Sequence, residues 1–402
     1  MPSNLTNRSA SSELRVLVAH NRYQQRGGED AVVAAEVKLL RARGHAVELF
    51  ELDNVEISQM SKLRVLSDTL WSRRAFSAVE DLMARFGPHV LHAHNTFPLI
   101  SPAIYWAAGR AGIPVVQTLH NFRLLCPQAM FLREAKVCED CLGKIPWRGV
   151  VRKCYRGSML QSGVVASMLG LHRGLGSYSG KVTRYIALNE FCRAKFVQGG
   201  MAPEKVVVKP NFADIAPAPA YARKGGLFVG RLAAEKGTAT LLNALRLLPG
   251  VSIDVVGSGP EQELLRHPGV RAAGWLEPER VRQMMYRAAY LVMPSVWYET
   301  FGMVLVEAFA CGLPVLATRL GSMAEAIAHE RTGLLFSAGS AEDLAKKIAW
   351  AERNPEHMRI MGRNARAEYE SKYTPDVNYS RLLQIYQDAI VCSEQPASAL
   401  SH

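Results

Sequence analysis

The chain alternates short apolar runs with longer stretches in which apolar residues recur every three or four positions. The first run, 14–19 (LRVLVA), has polar neighbours on both sides and predicts a buried strand. A polar loop over 20–30 follows, and 31–43 has helical spacing that stops before Gly44. Strands are predicted again at 46–51, 90–93 and 114–118, with helical stretches up to about Phe86 and near 104–110. Residues 120–156 break this rhythm with four cysteines and many charges. Then come a helix at 164–170, a strand at 185–188, a helix at 190–198 and a strand at 206–208. Residues 210–226 are rich in Pro, Ala and Gly and predict a linker. The alternation restarts with strands at 227–230, 252–256, 270–273, 290–293, 314–317 and 333–336. Helical stretches at 341–352, 355–371 and 378–391 end the chain. Such alternation yields parallel sheets with helices on both faces. The expected fold class is α/β, with two doubly wound parallel-sheet (Rossmann-like) domains facing across a cleft. The expected boundaries are 1–209 with a Cys-rich insertion at 121–156, a linker at 210–226, a second domain at 227–374 and a final helical segment at 375–402. Ligands of open parallel sheets bind beyond the carboxyl ends of the strands, so the loops after strands carry the candidate chemistry.

Composition narrows the class. At 402 residues, with 49% hydrophobic and 21% charged, the chain is neither disordered, collagenous nor a disulfide knot. No apolar run reaches the roughly 20 residues of a membrane-spanning helix, and the longest, 303–317, carries Glu307. The N-terminal MPSNLTNRSASSE lacks an apolar signal core, so a soluble cytoplasmic protein is expected. The net charge of +12 is concentrated, since residues 101–210 hold 16 basic and 5 acidic side chains. Such a patch attracts anionic lipid head groups or phosphorylated acceptors. No nucleic-acid module accompanies it, so nucleic acid is not an expected partner.

The sharpest candidate chemistry is Pro294-Ser-Val-Trp-Tyr-Glu299-Thr-Phe-Gly302, followed by a predicted helix bearing Glu307. The backbone amides of Thr300, Phe301 and Gly302 would sit at a helix start, where about half a positive charge suits a phosphate. Two carboxylates beside it can hydrogen-bond sugar hydroxyls, although on chemistry alone they also read as two surface glutamates. Arg231 and Lys236 follow a predicted strand and would neutralise charge on a leaving diphosphate; alone, either is also an ordinary helix-start charge. Gly257-x-Gly259 matches half of a dinucleotide fingerprint, but the third glycine position holds Gln262, which disfavours a nicotinamide cofactor. Gly27 and Gly28 let backbone approach a phosphate closely or simply make a tight turn. No Asp-x-Asp pair stands in a strand-end loop and no lysine context suggests pyridoxal, so neither a catalytic divalent metal nor an organic cofactor is expected.

Glu299-x7-Glu307 with Ala310-Cys-Gly-Leu-Pro-Val315 resembles the E-x7-E region of retaining GT-B glycosyltransferases of the family 4 type (glycosyl transferases group 1). Gly230-Arg231-Leu232 with Glu235-Lys236-Gly237 is similar to that family's phosphate-binding loop, and Val256-Gly-Ser-Gly-Pro-Glu261 to its G-x-G-P-E turn. Gly274-Trp275 with Glu277 and Val281, Glu325 after Gly321-Ser322, and Gly333–Phe336 continue the likeness. In the first half Gly27-Gly28-Glu29, His92-Ala93-His94 and Thr118-Leu-His120-Asn121 also fit. The resemblance implies that the first domain serves the acceptor and the second binds a nucleotide-diphospho sugar. It implies that Gly28 faces the donor diphosphate, His120 the transferred sugar, Glu299 the sugar ring and Glu307 the ribose. It also implies that the last helix crosses back to the first domain, and that front-face transfer with the leaving phosphate taking the acceptor proton is the mechanism. His94 reads equally well as structural. The expected function is retaining transfer to a hydroxyl acceptor, a saccharide or polyprenyl-diphosphate-linked glycan of cell-surface polysaccharide synthesis. A GT-B nucleotide-sugar epimerase and a non-catalytic nucleotide-sugar or lipid-binding scaffold are the alternatives.

Two features lie outside that pattern. Cys126, Cys138, Cys141 and Cys154 have the spacing C-x11-C-x2-C-x12-C, which suits a structural zinc with four thiolates; free thiols, a disulfide or an iron–sulfur cluster are the alternatives. A metal there would fold a long loop over the acceptor side of the cleft. The stretch 158–178 is mildly amphipathic and flanked by Arg152, Lys153, Arg156, Arg173, Lys181 and Arg184. It predicts peripheral contact with the anionic inner face of the plasma membrane, or else a core helix with solvated ends.

Overall fold

The computed structural model describes residues 13–24, 27–217 and 222–394. Residues 1–12, 25–26 of the first polar loop, 218–221 of the predicted linker and 395–402 of the C-terminal segment lie outside them. Fourteen strands are present among the described residues: β1 Arg15–Arg22, β2 Ala46–Asp53, β3 Val90–Ala93, β4 Val115–Thr118, β5 Leu132–Arg133, β6 Lys136–Val137, β7 Arg184–Ala187, β8 Val206–Val208, β9 Gly226–Val229, β10 Ile253–Val256, β11 Val270–Gly274, β12 Tyr290–Met293, β13 Val315–Thr318 and β14 Gly333–Phe336. Twelve of them form two six-stranded sheets, ordered β2-β1-β3-β4-β7-β8 and β11-β10-β9-β12-β13-β14, and β5 pairs with β6 as a small hairpin. These are two parallel Rossmann-like sheets, as the alternation predicted.

By spatial clustering the chain groups into two compact units. One contains the described residues up to Gln117, Gly176–Arg184 and the chain from Ile385; the other contains Thr118–Leu175 and Tyr185–Gln384.

The second sheet shows why its strands read as apolar runs. Leu227, Leu291, Val315, Ala317 and Leu335 pack in one buried cluster. Their neighbours Phe228, Tyr290, Val292, Leu316, Leu334 and Phe336 pack in another. Alternate side chains thus enter opposite covered faces, so both must be apolar. The strand order reverses between β9 and β12. In open parallel sheets the loops that follow the strands at such a reversal are where ligands bind. In the first sheet the corresponding reversal lies between β1 and β3.

β1 runs to Arg22, beyond its predicted end, because the polar His20 and Asn21 are buried with partners. His20 Nε2 lies 2.8 Å from Asp30 Oδ1, and the Asn21 amide donates to Asn54 Oδ1 at 2.8 Å. The following helix starts at Gly28, three residues early, because Asp30 accepts from the Gly27 amide at 2.8 Å and caps it. Within the predicted linker Phe212 and Ala213 are buried, and the Tyr369 hydroxyl donates to the Ala213 carbonyl at 2.7 Å.

The predicted amphipathic stretch is a helix, Met159–Gly174, that buries Val165, Met168, Leu169 and His172. Part of its apolar surface is therefore core. Met159, Leu160 and Leu171 of the same helix are exposed, as are Ile145, Trp147 and Val151 before it. No helix among the described residues is long and apolar enough to cross a membrane.

Candidate active site

The loops after β9 and β12 meet at the sheet's reversal point. The first runs through Arg231, Glu235 and Lys236; the second carries Ser295, Trp297 and Glu299 into the helix Met303–Ala310. They are stitched by a bond from the Val296 amide to the Glu235 carbonyl at 3.0 Å. At Gly237 the backbone has φ of 72°, and an added Cβ would stand 1.9 Å from the Pro294 carbonyl oxygen. Only glycine lets the two loops approach so closely.

That approach brings Lys236 Nζ to 2.6 Å from Glu299 Oε1. Ser295 Oγ and Trp297 Nε1 donate to the same oxygen at 2.8 and 3.0 Å. Glu299 is only 5% exposed. Burial pushes its carboxyl pKa up, but the Lys236 charge and the three donors outweigh this and hold it below the ordinary range. A buried carboxylate with three donors on one oxygen is fixed in place. The Ser322 hydroxyl also holds the Glu299 carbonyl, at 2.5 Å.

Glu307 sits in the second turn of the helix, and burial raises its pKa, opposed by the nearby Arg282. Gly302 caps this helix with φ of 71°, placing Thr300, Phe301 and Gly302 just before the first turn, as expected. The Thr300 hydroxyl donates to the His120 carbonyl at 2.8 Å, which brings His120 beside the same helix start. Arg231 is paired with Glu235 rather than standing free, so both expected phosphate-binding cations have carboxylate partners.

Gly257 and Gly259 serve backbone packing. Added Cβ atoms would lie 1.9 Å from the Gly230 carbonyl oxygen and 2.2 Å from that of Leu232. The two turns are also bonded, Gly230 amide to Val256 carbonyl at 3.0 Å and Leu232 amide to Ser258 carbonyl at 2.9 Å. Their glycines therefore shape the loop that carries Arg231.

Sequence reading places Glu235 and Ser295 only as members of motifs and gives them no task, and it gives none to Trp297 or Arg282. Glu325 has a different task. Its carboxylate accepts from the backbone amides of Glu190 and Phe191 at 3.0 and 2.7 Å, capping the helix Glu190–Gln198.

In the other unit, Gly27 and Gly28 lie at the start of the helix Gly28–Ala42, after β1. His94 is 3% exposed, with Nε2 3.5 Å from the buried Glu36 carboxylate. His92 Nδ1 lies 2.7 Å from the Tyr386 hydroxyl. Glu36, His92 and His94 hold their ligand atoms within 4.8 Å of one another. We read them as a buried polar network joining the helix after β1 to the end of β3.

The family model described as Glycosyltransferase Family 4 matches residues 26–216, and that described as Glycosyl transferases group 1 matches residues 223–368. D-inositol 3-phosphate glycosyltransferase of Mycobacteroides abscessus is 29% identical over 275 residues, covering 63% of this chain and 57% of that protein. Sulfoquinovosyl transferase SQD2 of Arabidopsis thaliana is 34% identical over 151 residues, covering 36% of this chain and 29% of that protein. The chain thus spans less than two thirds of the length of either relative. Among solved structures, Anabaena HepE in complex with UDP aligns with a TM-score of 0.65 at 18% identity, covering 93% of this chain and 100% of that one. Sucrose-phosphate synthase from Thermosynechococcus elongatus aligns with a TM-score of 0.69 at 17% identity, covering 94% and 100%. With both halves of the sequence matched and the two-sheet fold shared, the chain belongs to the group 1/family 4 glycosyltransferases of GT-B fold.

Proposed function

We propose that the chain transfers a sugar, with retention, from a nucleotide-diphospho sugar to the hydroxyl of a saccharide or lipid-linked acceptor. The observation that carries this reading is the Lys236–Glu299 pair, buried on its carboxylate side, beside the start of the helix bearing Glu307. A donor diphosphate needs fixed positive charge, and Lys236, Arg231 and the helix start supply it in one place. When a phosphate takes Lys236, the Glu299 oxygen is released to accept from a sugar hydroxyl. The bond from the anomeric carbon to the diphosphate oxygen then breaks, and the acceptor oxygen bonds that carbon on the same face. The acceptor proton passes to the leaving diphosphate. Arg231 and Lys236 carry the charge neutralisation in this scheme, without a catalytic divalent metal. Complexes of HepE with UDP and with UDP-glucose support a uridine donor.

Incubation with UDP-sugars tests the transfer. Nucleotide release that requires a lipid or glycan extract, with label moved into the extract, is the expected result. Interconversion of the donor sugar without release would favour an epimerase, and binding without turnover a scaffold.

Glu307→Ala is expected to weaken nucleotide binding at least about tenfold while changing kcat little, because its proposed task is to hold ribose hydroxyls. Titration calorimetry with UDP reads the first effect and saturating-donor kinetics the second.

The acceptor is proposed to be membrane-borne. Ile145, Trp147, Val151 and Leu160 are 77%, 59%, 59% and 77% exposed. The exposed cations Lys144, Arg152, Lys153 and Arg156 stand among them in the sequence. Apolar side chains with a basic rim suit an anionic bilayer surface. The protein is expected to float with vesicles containing phosphatidylglycerol and not with neutral ones, and Trp147→Ala with Leu160→Ala to reduce flotation severalfold. Equal behaviour with both vesicle types would remove this part of the proposal.

A further inference from the structure

The segment Phe122–Arg156 has little regular structure and an unusual backbone. Of eight non-glycine residues with positive φ among the described residues, six fall at Ala129, Phe131, Glu134, Ala135, Lys153 and Arg156. Each left-handed residue of this kind is held only where its surroundings over-determine it. Apolar contacts supply part of the restraint. The Phe122 ring stands 4.9 Å from that of Phe131 and 5.6 Å from that of Phe196. Leu125, Ala129 and Leu142 of the segment are buried as well.

Four separate pieces of this segment bring a cysteine to one small cavity. Cys126 ends a turn whose amide bonds to the Phe122 carbonyl at 2.8 Å. Cys138 follows the β5–β6 hairpin, its amide bonding to the Phe131 carbonyl at 2.8 Å. Cys141 lies one turn on, and Cys154 follows the helix Trp147–Val151, its amide bonding to the Gly149 carbonyl at 2.9 Å. The cavity, about 20 Å³, is lined by all four cysteines with Pro127 and Arg152. That volume accepts a single ion or water. None of the four is in a disulfide.

We infer that Cys126, Cys138, Cys141 and Cys154 bind one structural zinc ion as four thiolates. Four sulfur ligands with a Cys-x2-Cys pair are the donor set zinc favours in closed structural sites. The surroundings suit the charge of such a centre. Arg152 Nη1 is 4.0 Å from Cys138 Sγ and also pairs with Asp140. Binding as four thiolates releases the thiol protons to solvent, leaving a Zn–S4 unit that pins the hairpin, the Cys138–Cys141 turn and the Trp147–Val151 helix together. The four sulfurs are not drawn into a closed cage as they stand; among the described residues only Glu36, His92 and His94 are so grouped. Closure on the ion therefore includes a contraction of the loop.

The test uses the full chain purified from zinc-supplemented medium. Elemental analysis is expected to find about one zinc per chain after desalting. Titration with a mercurial should release it as four thiols react, a readout that needs no variant to fold. Cobalt substitution should give the intense thiolate charge-transfer absorption of a tetrahedral sulfur site. Cys138→Ser should lose the metal, while Cys392→Ser and Glu36→Gln should keep it. Zinc that survives Cys138→Ser but is lost with Glu36→Gln would overturn the assignment. So would metal-free protein with freely titrating thiols, a disulfide within the cluster, or an iron–sulfur chromophore.

Discussion

Lys236→Ala is expected to lower kcat by about 10²-fold or more while nucleotide affinity changes only a few-fold. The asymmetry follows from where charge appears. Negative charge builds on the diphosphate as its bond to the sugar breaks, so a fixed cation there is worth most in the transition state. Lys236 is held 2.6 Å from Glu299 and stands over the Trp297 ring, with the nitrogen 5.4 Å from its centre. It is thus positioned before any donor arrives. The same substitution leaves Glu299 buried without its charged partner. Breaking such a pair costs about 3–5 kcal/mol when fully buried, and less here because the Lys236 side chain is 27% exposed. A lowered Tm is therefore expected as well, and kcat must be read on the folded fraction. Wild-type turnover in this variant would refute the role given to Lys236.

Glu299→Gln is the second large effect, again about 10²-fold in kcat with nucleotide affinity retained. Glutamine keeps the shape but removes the charge that orients Lys236, and it offers the sugar a neutral acceptor. The pH dependence of stability supplies an independent check. The Glu299 pKa is lower folded than its ordinary value of 4.5. Its stabilisation is therefore fully present above that value and is lost as pH falls through the lower folded-state pKa. Glu307 has the opposite sign, since its raised pKa stabilises the fold at low pH and that gain is lost as pH rises through the raised value. In Glu299→Gln, the Tm deficit against wild type measured at pH 7 should shrink as pH falls below 4.5 and through the lowered folded-state pKa, where the wild-type carboxylate becomes protonated too. A deficit independent of pH would show that the ion pair contributes nothing.

Much of this architecture was readable from side-chain periodicity alone. Leu316 and Ala317 enter opposite faces of β13, so both had to be apolar, and the run stands out against polar loops. The helix bearing Glu307 was legible for the same reason, and Glu299 from its place just before it. The pairing of Lys236 with Glu299 was not, because 63 residues separate them. It exists only because β9 and β12 are neighbours in the sheet, a fact that no local pattern encodes. His20 and Asn21 misled for a related reason, being polar residues that fill a core position through partners distant in sequence. Glu325 matched a motif, yet its carboxylate caps a helix whose start is 135 residues away. Exposure was equally hidden. The stretch with amphipathic spacing buries Val165, Met168 and Leu169 but leaves Leu160 and Leu171 exposed, and Ile145 and Trp147, which follow no periodicity, stand in solvent too.

The central claim is that a donor's diphosphate is held by Lys236, Arg231 and the start of the helix Met303–Ala310. A crystal structure of the chain with the nucleoside diphosphate that most raises its Tm, chosen from UDP, GDP and ADP, tests this directly. Phosphate oxygens bonded to Lys236 Nζ and to backbone amides of 300–304, with the Glu299 carboxylate freed from Lys236, are the expected result. A nucleotide bound elsewhere, with Lys236 still closed on Glu299, would contradict it.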